Sequence, residues 1–64
     1  MSISEFVNIL EDNMYITVIR DNDIMFEGIA YDARRSLRGW RGRISFIDDG
    51  RAQGFSRGLY IEVD

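Results

Sequence analysis

The stretch from Met14 to Tyr31, MYITVIRDNDIMFEGIAY, decides the fold. Between Met14 and Arg20 every residue is β-branched or aromatic, a composition that fits the pleated, half-buried surface of a strand. Asp21, Asn22 and Asp23 follow, and their short polar side chains bond the local backbone in tight turns. Ile24–Tyr31 then resumes an apolar pattern. Two such runs about a short polar turn read as a β-hairpin.

Working outward, Ser2-Ile3-Ser4-Glu5 reads as a capping box, in which the serine and glutamate side chains satisfy each other's backbone N–H groups. Ile3, Phe6, Val7 and Leu10 fall on one helical stripe, which predicts a helix over 3–11 that ends at Asp12-Asn13. On the other side, Asp32 is placed to cap a second short helix over Ala33–Trp40, weakened by Gly39. RISFID (43–48) and LYIEV (59–63) alternate as half-buried strands do. The glycine-rich run DGRAQGFSRG joins them, either as a loose connection or as a binding element.

The order helix, two strands, short helix, two strands predicts a single α+β domain, residues 1–64, on a four-stranded, mainly antiparallel sheet. Strict alternation builds the core face from Ile16, Val18, Ile24, Phe26, Ile44, Phe46, Leu59 and Ile61. The opposite face is too apolar to be left to solvent. Its Tyr15, Ile19, Met25, Tyr31 and Tyr60 are candidates for a partner interface, or for a platform on which bases stack.

The chain has 64 residues and contains no cysteine, histidine, lysine or proline. A domain of this size buries only about 60% of its unfolded surface. Disulfides and an ordinary structural zinc are excluded, which leaves self-association as the expected staple, and no cofactor is expected. The opening residues lack the basic start and apolar run of a secretory signal, so a cytoplasmic protein is expected.

Charge is split along the chain. The net charge is −3, but residues 1–33 carry −6 and residues 34–64 carry +3. Five of the eight arginines lie in ARRSLRGWRGR (33–43), around the only tryptophan, Trp40. On a helix starting at Ala33, Arg34, Arg38 and Arg41 would form one basic stripe, with Leu37 and Trp40 turned to the core. With Arg43, and with Arg51 and Arg57 from the glycine-rich run, these arginines are the candidate nucleic-acid contacts, since guanidinium forks bind phosphate bidentately. The same arginines could instead meet the acidic first half, within the chain or across a dimer.

Without histidine, cysteine or lysine, the usual general bases and nucleophiles are missing. A metal-dependent DNA-nicking enzyme would need its aspartates, drawn from Asp12, Asp21, Asp23, Asp32, Asp48 and Asp49, to hold a divalent ion. Their spacing fits turns and caps better. A third reading is an acidic inhibitor that mimics nucleic-acid charge toward a basic partner through Glu11, Asp12, Asp21, Asp23 and Asp32.

The stretches SEFVNILEDN, YITV, MFEGIAYD and GLYIEV together resemble tiny acidic accessory proteins of bacteriophages and integrated elements, some of them anti-CRISPR or other anti-defence factors. The resemblance implies a mobile-element accessory protein and supplies no catalytic residue. One anti-CRISPR type carries a sheet whose strands run first and whose helix comes last, whereas this chain opens with its helix. Binding of nucleic acid or a nucleoprotein complex by a homo-oligomer is the leading expectation.

Overall fold

The computed structural model describes residues 1–64 and orders them as α1 (Ile3–Ile9), β1 (Tyr15–Arg20), β2 (Asp23–Ile29), α2 (Ala30–Ser36), β3 (Ile44–Asp49), a 3₁₀ turn (Gly50–Gln53) and β4 (Leu59–Val63). The fold class is α+β, as the pattern predicts. The sheet order is β2-β1-β4-β3. Both hairpins are antiparallel, but β1 and β4 lie side by side in parallel, so the sheet is mixed.

Local chemistry sets the boundaries. The capping box at α1 is formed: the Glu5 N–H donates to the Ser2 hydroxyl at 3.2 Å, and the Ser2 N–H donates to the Glu5 carboxylate at 2.9 Å. Those bonds from Ser2 hold the Glu5 carboxyl below its ordinary pKa. In the β1–β2 hairpin Asp21 and Asn22 both have positive φ, as a two-residue turn matched to the twist of the strands requires.

α2 begins and ends three to four residues earlier than the capping argument at Asp32 places it. Its first N–H groups already have acceptors: Ala30 donates to the Met14 carbonyl at 2.8 Å and Tyr31 to that of Asp12 at 2.9 Å. With its orphan donors met by a neighbouring segment, the helix needs no side-chain cap. It closes before Gly39, whose φ of 73° breaks the helical path.

The core lies on one face of the sheet. Ile3 and Val7 of α1, Ala33 of α2, Leu37 just beyond it, and Ile16, Val18, Ile61 and Val63 of the central strands form one buried cluster. Phe6, Leu10, Phe26, Trp40, Ile44 and Leu59 pack around it. Burial of this aliphatic area is the main driving force for the fold, at about 25 cal/mol per Å² removed from water.

Two β-bulges correct the strict alternation. Val18 pairs with Phe26 but Ile19 pairs with Ile24, so Met25 is an extra residue in β2. Ile44 pairs with Val63 but Phe46 pairs with Glu62, so Ser45 is an extra residue in β3. A one-residue slip sends every following side chain to the other face. Ile24 and Phe46, expected in the core, therefore lie on the face without helices and are 53% and 44% exposed.

That second face is dressed by its own side chains. Phe46 meets Tyr60 edge-on at 6.1 Å, and Phe55 lies against Tyr60 at 5.9 Å. Beneath them Thr17 is fully buried, and its hydroxyl has no hydrogen-bond partner. The connection from β3 to β4 is not loose. Asp49 caps the 3₁₀ turn by accepting from the Arg51 N–H at 3.0 Å, and the Gly50 N–H donates to the Gly58 carbonyl at 2.7 Å. Gly58 has a φ of 79° and lies so close to β1 that a Cβ there would sit 2.1 Å from the Tyr15 carbonyl oxygen.

Candidate functional site

The eight arginines separate into three groups. Arg34 is structural. Its Nε donates to the Val7 carbonyl at 3.0 Å, its Nη2 to the Leu10 carbonyl at 2.5 Å, and its Nη1 pairs with the Asp12 carboxylate. A guanidinium there satisfies carbonyls left open at the end of α1 and complements the negative end of that helix. This role rests on a contact between residues 27 and 24 apart in sequence, which no local pattern announces.

Because α2 stops at Ser36, the expected stripe of Arg34, Arg38 and Arg41 does not form. Arg35 and Arg38 are exposed at the end of α2 and in the turn after it. Arg51 lies 3.9 Å from Asp49 on the exposed 3₁₀ turn. Arg57 stacks over the Tyr15 ring at 4.1 Å, on the face without helices and away from the rest of the cluster.

The third group is a site that the sequence named only in part. Arg20, at the end of β1, stands over the Trp40 ring at 5.9 Å. Arg20, Trp40, Arg41, Gly42, Arg43 and Asp64 line an open cavity of about 320 Å³. Its wall is held by backbone. The Ile3 N–H donates to the Gly42 carbonyl at 2.8 Å, the Ile44 N–H to the Met1 carbonyl at 3.2 Å, and the Asp64 N–H to the Arg43 carbonyl at 2.9 Å. Trp40 is half-buried, one side packed on the core and the rest bordering the cavity.

Arg20, Arg35, Arg38, Arg41, Arg43 and Arg57 have no carboxylate within ion-pair distance; only Arg34 and Arg51 do. Within one chain, then, six of the eight arginines do not pair with its carboxylates. Arg20 was missed because it stands alone among acids in sequence. The signal that could have found it is its place at the end of a strand, facing the same side as Ile16 and Val18.

The aspartates are occupied at turns and caps. Asp12 pairs with Arg34, Asp21 sits in the hairpin turn, Asp23 opens β2, and Asp32 is exposed in the first turn of α2. Asp48 accepts from Gln53 at 2.9 Å and from the Asp49 N–H at 2.8 Å, and these bonds lower its pKa. No three carboxylates converge in a way that could hold a metal ion.

Of the expected interface residues, Met25 and Tyr31 are exposed, and Tyr15 is half-buried under Arg57. Tyr31 stands on α2 and not on the sheet. Ile19 and Tyr60 are already covered within the chain, at 7% and 9% exposure. The Tyr15 hydroxyl donates to Glu27 at 2.9 Å and the Tyr60 hydroxyl to Glu62 at 2.6 Å, and each bond raises the tyrosine pKa by favouring the protonated form. No helix is long and apolar enough to cross a membrane. Comparison with known protein families, curated proteins and solved structures returns no match for this chain.

Proposed function

We propose that the protein is a small non-enzymatic binding module that takes single-stranded nucleic acid at the cavity of Arg20, Trp40, Arg41 and Arg43. The observation that carries this reading is the set of three arginines, none of them in an ion pair, that line one cavity with the only tryptophan and a single acid, Asp64. The guanidinium groups supply phosphate contacts, and the outer face of the half-buried indole becomes a stacking surface for a base once Arg20, which stands over that ring, turns to a phosphate. A compact cluster on a chain of net charge −3 suits a short flexible strand better than a duplex, whose readers are basic over a whole domain. Arg35 and Arg38 are exposed but do not line the cavity. Arg57 and Arg51 lie outside it.

Its working setting is that of a phage or mobile-element accessory protein, homo-oligomeric and cytoplasmic, with anti-defence activity the role that such a binder would fill. The resemblance of its helix and strand stretches supports that setting.

The test follows Trp40 fluorescence while oligo-dT of about 12 nucleotides is added, within the footprint of small single-strand binders. Binding is expected to weaken steeply between about 50 and 200 mM salt. Replacing Arg41 and Arg43 together by alanine should lower the slope of log affinity against log salt by about 1.4, the share of two single-strand phosphates, with the fold intact by circular dichroism. Unchanged fluorescence and no mobility shift in the wild type, or a variant that binds as the wild type does, would sink the reading.

A further inference from the structure

Beside the arginine cavity lies a second one of opposite charge. Ile19, Asp21, Asn22, Ser45, Glu62, Val63 and Asp64 enclose about 270 Å³ at the same end of the sheet. The two share Asp64, and both sit where the parallel strands β1 and β4 end. One is walled by three arginines, the other by three carboxylates. Neither charge is cancelled within the chain: no carboxylate pairs with Arg20, Arg41 or Arg43, and no arginine pairs with Asp21, Glu62 or Asp64. Glu62 accepts from Tyr60 through one oxygen and keeps the other free.

Two adjoining patches of opposite sign are complementary to themselves turned over. A two-fold axis passing near Asp64 sets the arginines of one copy into the acidic cavity of the other, and the reverse, in one closed contact. We infer that this end of the sheet is a two-fold interface between two copies of the chain, charge to charge, and that dimer and nucleic acid compete for the same arginines. The competition rests on the function proposed above; the dimer does not. The end is narrow, on a chain of 28 × 25 × 16 Å, so the contact falls at the small, polar, transient end of interface sizes. Complementary charge then governs its assembly and its sensitivity to salt.

Sedimentation of the wild type is the first arm. At about 20 mM salt, where charges act over more than 10 Å, the expected mass is that of a dimer, and at about 0.5 M it falls to the monomer. Two charge-reversed proteins form the second arm, Arg41→Glu with Arg43→Glu, and Glu62→Lys with Asp64→Lys. Each alone is expected to be monomeric, and their mixture should give a one-to-one heterodimer, because one now presents acid with Arg20 as its sole remaining base and the other presents base with Asp21 as its sole remaining acid. A wild type that stays monomeric at low salt, or a mixture that stays monomeric while both variants are folded, overturns the interface. In the third arm oligo-dT is added to the dimer. Release of DNA-bound monomers supports competition, and a dimer that binds DNA intact overturns it. If no DNA binds while the first two arms succeed, the function proposed above fails and the interface stands.

Discussion

The two faces of this sheet are closed by different chemistry. On one, β1 and β4 present Ile16, Val18, Ile61 and Val63 to aliphatic residues of α1, α2 and the turn after α2. On the other, the same strands present Tyr15, Thr17, Tyr60 and Glu62, and no helix arrives. The long β3–β4 connection supplies Phe55 and Arg57 in its place. The first face is held by volume, the second by a few directed contacts between rings, hydroxyls and carboxylates. A chain of 64 residues has too little helix to cover both sides, so it covers the centre of one and dresses the other with single side chains.

Truncation should separate the faces most clearly. Ile16→Ala leaves a cavity in the fully buried cluster and should remove about 2–5 kcal/mol. That is a large share of the stability of a chain this short. Urea unfolding followed by circular dichroism measures it, and a loss no larger than that of Tyr60→Phe would remove the distinction between the faces.

Thr17 offers a change of opposite sign on the second face. Its hydroxyl is buried without a partner, so Thr17→Val exchanges an unsatisfied polar group for a methyl of nearly equal shape. The variant should gain about 1 kcal/mol. A loss of stability would mean that the hydroxyl has a partner in solution.

The smallest effect is ionic. The tyrosine–glutamate pairs raise the pKa of Tyr15 and Tyr60, so their share of stability is complete below the ordinary tyrosine pKa of about 10. It is lost as pH rises through the raised folded-state values. Glu27→Gln and Glu62→Gln should each move part of the ultraviolet tyrosinate titration back toward the ordinary value. The first face, without titratable groups in its core cluster, should not respond.

Most of the fold was legible because its signals are local. The capping box, the stripe of Ile3, Phe6, Val7 and Leu10, and the turn at Asp21-Asn22 each depend on residues within a few positions. The faces of Ile24 and Phe46 were not, because a bulge is a property of two paired strands and leaves no mark in one of them. The site divided in the same way. Trp40, Arg41 and Arg43 are sequence neighbours, but Arg20 arrives from another strand. Arg34 leaves the cluster for the end of α1 because open carbonyls there accept from it. The parallel pairing of β1 and β4 was likewise invisible to an argument built on consecutive hairpins.

That pairing has a consequence for how the chain comes to be folded. Its middle ladder joins Val18 to Ile61, roughly forty residues apart, so the central seam cannot close until nearly the whole chain is present. Contacts of such separation slow folding relative to a helical chain of the same length. During synthesis the first hairpin emerges with one edge of β1 bare and with α1 alone available to cover its aliphatic face. It stays so until the five-residue strand β4 has been made and slots in beside it. β4 is thus the strand that turns a sticky intermediate into a finished domain.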